Sequence, residues 1–305
     1  MKSSQKTPRG DGALFRNPVP RAAAIHDLSG FGRASLTVII PVLSTMGVQV
    51  CPLPTAVLST HTGGFKDYQF IDLTDRLEGI IRHWLDLKVR FDAVYSGFLG
   101  SPRQVDIVAG FIRSFAHSKQ LVVVDPVMGD NGQPYGPIGP EMIAQMRTLI
   151  THADVITPNF TEAAFLLDRP CREEIGQEEL KDWILKLSEA GPRLVVVTSV
   201  PVPGTEKVSS VVAYDREDGR FWKVDCSYIP AYFPGTGDAF ASVIVGSLLQ
   251  GDSLPIALDR AVQFVSMAIR ASFGYSIPSR EGVMLERVLP NLRAPVVSSS
   301  YEIME

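Results

Sequence analysis

The chain has 305 residues, 45% of them hydrophobic, which is enough for one large domain with a well-buried core. Its 29 basic and 33 acidic side chains leave a net charge of −4, so no field of one sign favours nucleic acid or an anionic membrane, and small molecules become the expected partners. The three cysteines, Cys51, Cys171 and Cys226, are odd in number and include no C-x-x-C pair; they support neither a disulfide framework nor a structural zinc site and fit buried thiols in a reducing cytoplasm.

Residues 1–20 are polar, basic and rich in Gly and Pro, without the apolar core of a secretory signal, and read as a disordered extension. From Ala22 short apolar runs alternate with longer periodic ones, the pattern of a mostly parallel α/β sheet built as one domain over 21–305. A strand over Ala22 to His26 leads to a helix over Ala34 to Met46 and a strand over Val48 to Leu53. Leu36 to Leu58 is the most apolar long stretch, but Pro41, Gly47, Pro52 and Pro54 interrupt it, which argues against a membrane span. Helix Leu73 to Leu87, strand Ala93 to Tyr95, helix Pro102 to Ala116 and strand Leu121 to Val124 follow. Next come helix Gly139 to Ile150, strand Val155 to Thr157, helices Thr161 to Leu167 and Gln177 to Ala190, and strand Leu194 to Thr198. Strands Ser209 to Tyr214 and Phe221 to Asp225 flank the turn-rich Asp215 to Gly219 and read as a hairpin. Helices Thr236 to Gln250, Pro255 to Ser272 and Glu281 to Leu289 complete the chain.

Ligands of parallel α/β sheets gather at the carboxyl ends of the strands. Here Asp27 and Ser29 follow the first strand, Asp125 and Asp130 the fourth, Thr157, Asn159 and Glu162 the fifth, and Thr198 and Ser199 the sixth. Each alone reads as a cap or turn residue. Together they crowd acids and hydroxyls on one edge without matching bases, an arrangement that asks for a cation such as Mg2+.

The stretch PGTGDAF, Pro234 to Phe240, carries the sharpest signal. Gly235 and Gly237 around Thr236 free the backbone to aim successive N–H groups at one spot, and the following helix adds the positive end of its dipole. Asp238 in the first turn would accept a proton from a substrate hydroxyl attacking a phosphorus held before those amides. A first-turn Asp is also a common helix cap, but a cap does not explain the paired glycines.

These residues resemble those of the ribokinase-like superfamily, closest to its pyridoxal kinase branch. The matching segments are IHDLSGFGR (25–33), LSTHTGGF (58–65), SGFLGS (96–101), DPVMGDNG (125–132), ITPNFTEA (156–163), VVVTS (195–199) and PGTGDAF itself. The resemblance implies a three-layer α/β/α fold with a mostly parallel central sheet, a homodimer, and ATP-dependent phosphorylation of the 5′-hydroxymethyl group of a vitamin B6 compound. It makes Asp238 the catalytic base and Gly235, Thr236 and Gly237 the phosphate-stabilising loop. It puts Asp130 and Glu162 near Mg2+ and the ATP phosphates, and Asp125, Thr157 and Thr198 around a monovalent cation, K+ being the candidate. It lays Asn159, Ser199 and Tyr135 along ATP and sets His61 and Thr62 against the pyridine substituents. Phe98 stands where relatives often carry Tyr, and Asp27 where they commonly carry Ser; a carboxylate there would favour pyridoxamine, with its ammonium group, over pyridoxal. The loops 59–68 and 129–140 are the candidate moving parts.

Other readings are weaker. GFGRAS (30–35) nearly spells a dinucleotide fingerprint, but no Asp or Glu occurs between Asp27 and Asp67 to hold a ribose, and the chain has no Walker P-loop. Hydroxymethylpyrimidine kinase is the nearest alternative within the resembled superfamily, although such enzymes usually carry Cys at the place of Asp238. A non-catalytic protein that binds B6 or nucleotide is the alternative from another class, and it would not need a base aimed at phosphorus.

Overall fold

Three alanines open the first strand, and in the computed structural model their small side chains let helices approach the sheet from both faces. The structure describes residues 18–136, 138–202, 204, 208–227, 229, 231–295 and 299–304, so the expected N-terminal extension lies outside them up to residue 17. In chain order the elements are β1 (Arg21–Phe31), α1 (Leu36–Thr45), β2 (Gln49–Thr60), β3 (Phe70–Asp72), α2 (Thr74–Asp86), β4 (Ala93–Ser96) and α3 (Pro102–Phe115). They continue with β5 (Leu121–Val124), β6 (Gly129–Asp130), β7 (Gln133–Pro134), α4 (Pro140–Leu149), β8 (Val155–Ile156), α5 (Phe160–Leu166) and α6 (Gln177–Glu189). The last are β9 (Leu194–Pro201), β10 (Val208–Asp215), β11 (Arg220–Ser227), α7 (Thr236–Leu249), α8 (Leu254–Phe273), α9 (Leu285–Val288) and β12 (Tyr301–Ile303).

Ten strands form one sheet in the order β12-β11-β10-β9-β8-β5-β4-β1-β2-β3. Pairing is parallel from β2 through β9, and antiparallel for β3 at one edge and β10 to β12 at the other. Side chains alternate between two cores, as a strand's period of two requires. Ala23, Ile25, Val94, Val122, Val124, Ile156, Val195 and Val197 pack under α2 to α6. Ala22, Ala24, Ala93, Tyr95, Val123, Val155, Leu194 and Val196 pack under α1, α7, α8 and α9. This is the expected three-layer α/β/α architecture, and it sends the carboxyl ends of β1, β4, β5, β8 and β9 to one edge.

The expected strands and helices are present, with instructive differences. β1 and β2 run well past their expected ends, pairing as far as Phe31 with Thr60. Pro52 and Pro54 are tolerated in β2 because β3 covers its outer side only from Ala56 to Leu58, leaving the prolines where no partner needs an N–H. The helix expected over Glu281 to Leu289 is broken into short turns: Gly282 adopts φ 79°, and Pro290 lies just beyond α9. The short strands β3, β6, β7 and β12 were not expected, being too brief to show a period.

Away from the strand ends, Trp84, Phe91, Phe111 and Phe115 knit α2 and α3 to the sheet, with Phe111 and Phe115 ring centroids 4.4 Å apart. Phe111 is fully buried. Phe111→Ala is expected to lower unfolding free energy by about 3–5 kcal/mol while leaving kcat of the folded fraction unchanged; a denaturant titration that shows less than about 1 kcal/mol would contradict this packing.

Candidate active site

The carboxyl ends of β5, β8 and β9 open on a cavity of about 380 Å3, and the start of α7 forms its facing wall. Its lining brings together Asp125, Asp130, Tyr135, Thr157, Asn159, Glu162, Thr198 and Ser199 with the whole segment Pro234 to Asp238. Residues drawn from six places in the sequence thus converge on one space.

At the start of α7 Gly235 has φ 81°, the left-handed region, and a Cβ added there would lie 2.1 Å from the Arg33 carbonyl oxygen. Only glycine fits, on both counts. The N–H groups of Gly235, Thr236 and Gly237 have no acceptor among the described residues, and the Thr236 hydroxyl is turned back to donate to the Phe233 carbonyl at 3.0 Å. A helix N-terminus leaves such donors free, and its dipole favours an anion in front of them.

Asp238 does not cap its own helix. Its Oδ2 instead accepts the N–H of Ser35 at 2.8 Å, from the loop between β1 and α1. Ser35 takes φ 51° and ψ −132°, a region that glycine alone adopts freely, at a cost of about 1–3 kcal/mol. The Ser35 hydroxyl donates to Asp27 Oδ1 at 2.5 Å, and Ser29 Oγ donates to Asp27 Oδ2 at 2.9 Å. Asp27 is 4% exposed, and each of its oxygens is held by a serine of the chain itself.

Burial without basic partners dominates the electrostatics, since neither Lys nor Arg lines the cavity among the described residues. Desolvation, and then the charge of Asp238, push Asp125 up to about 8. Desolvation also raises Asp238 to about 7; the Ser35 amide works against that rise and the Asp27 charge adds to it. Glu162 and Asp130 are raised as well, each mainly by burial. A carboxyl near 7 exchanges its proton readily at neutral pH, which is what a general base requires.

Several expected site residues serve the scaffold. Glu162 accepts the N–H of Met128 at 3.0 Å and of Asn159 at 2.8 Å, and Asn159 accepts the N–H of Glu162 at 2.9 Å, so the pair is a capping box at the start of α5. The Asn159 amide also donates to the Gly129 carbonyl at 2.8 Å and ties β6 to that helix. His61 accepts the Gly63 N–H at Nδ1, which leaves the proton on Nε2 to donate to the Arg280 carbonyl at 2.6 Å. No ring nitrogen remains for a ligand in this arrangement, and the histidine clasps loop 59–65 to the segment 278–282. Thr62 is exposed on that loop, and Phe98 is half-buried against the core under α2 to α6. Tyr135 meets the hydroxyl of Tyr232 across the cavity.

The residues that sequence reasoning missed are Arg33, Ser35 and Gly282. A Cβ on Gly282, at φ 79°, would lie 2.7 Å from the same Arg33 carbonyl that Gly235 approaches. The signal for Arg33 and Ser35 was the GFGRAS run, whose glycine spacing marks a tightly turned loop; what it turns toward lies some 200 residues away, and Gly282 carried no signal of its own.

Comparison with known proteins shows the family. A model of the phosphomethylpyrimidine kinase family matches residues 39–280. A pyridoxal kinase of Paraburkholderia phymatum is 31% identical over 239 residues, covering 75% of this chain and 80% of its own. The solved pyridoxal kinase of Lactobacillus plantarum is 33% identical and superposes with a TM-score of 0.82, covering 90% of this chain and 97% of its own. A Bacteroides thetaiotaomicron protein assigned as a phosphomethylpyrimidine kinase and solved with pyridoxal is 56% identical, with a TM-score of 0.91 over 94% of this chain and 100% of its own.

Asp125 and Asp238 hold protons in the folded chain that an unfolded chain releases near pH 4. The stability they contribute is therefore complete below that pH and is lost as pH rises through 7 to 8. The melting temperature of ligand-free protein is expected to fall across this interval, and that of Asp125→Asn to fall less, because an amide never ionises. Equal slopes for the two proteins in scanning fluorimetry would contradict the assignment.

Proposed function

This chain belongs to the phosphomethylpyrimidine kinase family and, within the ribokinase-like superfamily, to the pyridoxal kinase branch; from that premise we propose how its own residues transfer phosphate from ATP to a B6 vitamer. The observation that carries the proposal is that unpaired amides and a carboxyl near pKa 7 share one wall of one cavity. The 5′-hydroxymethyl oxygen of the substrate lies against Asp238, which accepts its proton as that oxygen bonds to the γ-phosphorus. The bond from phosphorus to the bridging oxygen breaks, and ADP leaves with the electron pair. The amides of Gly235, Thr236 and Gly237 donate to the oxygens of the migrating phosphoryl group, where charge builds and water is excluded.

The donors around the cavity suit a hard cation. Asp125, Asp130 and Glu162 offer carboxylate oxygens to a cavity that no Lys or Arg lines among the described residues, and the buried Thr157 hydroxyl lies beside Asp125 as a further oxygen donor. No three acidic, His or Cys side chains among the described residues come close enough to cage a metal by themselves, so Mg2+ bound there would need water and phosphate oxygens to complete its shell. Asp130 and Glu162 would hold it, Glu162 with the lone pairs its capping bonds leave over; Asp125, Thr157 and Thr198 would surround K+. Bound there, Mg2+ supplies charge neutralisation at the phosphate oxygens. Asn159, Tyr135 and Ser199 would flank ATP, and Thr62 and Phe98 the pyridine ring, with Asp27 and His61 supporting that side through the chain.

A homodimer in the cytoplasm completes the reading. Phe31, Tyr68, Phe70 and Ile71 are exposed around the edge strand β3, which supports a self-association surface. The odd number of cysteines, with no C-x-x-C pair, suits a reducing compartment. No helix among the described residues is long and apolar enough to cross a membrane.

ADP release with Mg-ATP and, in turn, pyridoxal, pyridoxine, pyridoxamine and hydroxymethylpyrimidine tests the substrate class. Turnover confined to hydroxymethylpyrimidine would move the chain to its nearest alternative, and no turnover at all would favour a binding protein. Asp238→Ala is expected to lower kcat by about 10^2- to 10^4-fold with nucleotide affinity nearly intact. In the native enzyme kcat/KM should rise with pH through about 7 as Asp238 loses its proton; a profile flat from pH 5.5 to 8, or unchanged kcat in the variant, would remove Asp238 from the chemistry.

A further inference from the structure

We propose that Asp27 is a positioning residue for phosphoryl transfer, acting through Ser35 to hold the backbone amide that fixes Asp238. This deepens the reading of Asp238 as the base and rests on it. The Ser35 N–H, 2.8 Å from Oδ2, makes the one hydrogen bond that the Asp238 carboxylate has among the described residues. That leaves the other oxygen to meet a substrate hydroxyl, and it means the direction of the base is set by how Ser35 is held.

Ser35 is held against its own preference. Its φ of 51° and ψ of −132° are disfavoured for any residue with a Cβ, so the conformation persists only because its surroundings impose it. Two restraints are visible. On the backbone, Ser35 bridges to Leu28, and the preceding Arg33 carbonyl is enclosed by Gly235 and Gly282. On the side chain, its hydroxyl donates 2.5 Å to Asp27 Oδ1, a charge-assisted bond inside a nearly closed pocket. Asp27 is in turn held by Ser29 through Oδ2, at 2.9 Å, so the carboxylate cannot swing away when Ser35 relaxes.

The order Ser29, Asp27, Ser35, Asp238 is therefore a mechanical series that ends at the base. Both oxygens of Asp27 point along it and the residue is 4% exposed, the geometry of a group that works inside the chain rather than one presented to a pyridine substituent. The Asp27 charge behind Asp238 also favours the base's taking up a proton, in the same direction as the series requires.

The test uses the full chain and four variants: Asp27→Ala, Ser35→Ala, the double variant and Asp27→Asn. Ser35→Ala keeps the N–H that reaches Asp238 and removes only the link to Asp27. Each alanine variant is expected to lower kcat by about 10- to 100-fold, the size of one lost charge-assisted hydrogen bond, with KM for Mg-ATP within about twofold. The double variant should be no worse than the worse single one, since both cut the same series. Asp27→Asn keeps an acceptor for Ser35 and the same volume, and should recover most of kcat while folding as the native chain does.

Additive losses in the double variant would overturn the proposal. So would a raised KM for the B6 substrate with unchanged kcat in Asp27→Ala, which would make Asp27 a substrate contact. The Ser35 amide proton in a 1H–15N spectrum separates this idea from the base reading: donation to a carboxylate holds it downfield, and it should move upfield in both Asp27→Ala and Asp238→Asn. If Asp238→Asn kept full kcat but the Ser35 amide still responded to Asp27→Ala, the base reading would fall and the mechanical link would stand. An amide unmoved in Asp27→Ala would sink the link itself.

Discussion

The Arg33 carbonyl oxygen is approached by two glycines, Gly235 and Gly282, each so near that a Cβ would overlap it. Three segments far apart in sequence are thereby pinned together: the loop after β1, the entry to α7 and the turn before α9. Arg33 also accepts no freedom from its own side: its N–H donates to the Glu281 carbonyl at 3.0 Å, and its guanidinium pairs with Glu286 at 3.1 Å. That ion pair is largely exposed and adds little by itself. The backbone contact is what sets where the free amides of α7 point, and so what the cavity can bind.

Around this fixed point the chain assembles a charge arrangement that folding alone would disfavour. Asp125 and Glu162 are buried with no Lys or Arg against them among the described residues, and burial raises both. Such groups are stable as neutral acids or beside a cation, and costly as bare anions. A site poised between those two states has a use for the cation and phosphate of a nucleotide, and it keeps Asp238 in the range where a proton moves at neutral pH. Strain at Ser35 belongs to the same pattern: local cost is held where chemistry needs a defined direction, and the two large cores on either face of the sheet supply the compensating stability.

Much of this was legible in the sequence, for identifiable reasons. Strands buried on both faces read as apolar runs, and the PGTGDAF stretch announced free amides beside an acid because only glycines could make that turn. The acids expected at the strand ends do converge on one cavity, because the carboxyl ends of parallel strands share one edge. The meaning of individual side chains was harder to read. Glu162 and Asn159 satisfy one another as a helix cap, and His61 spends both nitrogens on backbone groups; composition does not say whether a polar atom faces a ligand or its own chain. GFGRAS resembled a fingerprint for another cofactor because local glycine spacing reports a tight turn and not its partner. The support that Ser35 gives Asp238 spans 203 positions, and no local pattern carries that.

The central claim is that the close approach of Gly235 to the Arg33 carbonyl aims the α7 amides at the transferred phosphoryl group. Gly235→Ala tests it most directly, because one added carbon, 2.1 Å from that oxygen, must displace the loop or the helix start. Steady-state kinetics should show kcat reduced by about 100-fold or more, the effect of misplacing one transition-state donor, in a protein that still folds. A folded Gly235→Ala enzyme with kcat within about twofold of the native value would contradict the account.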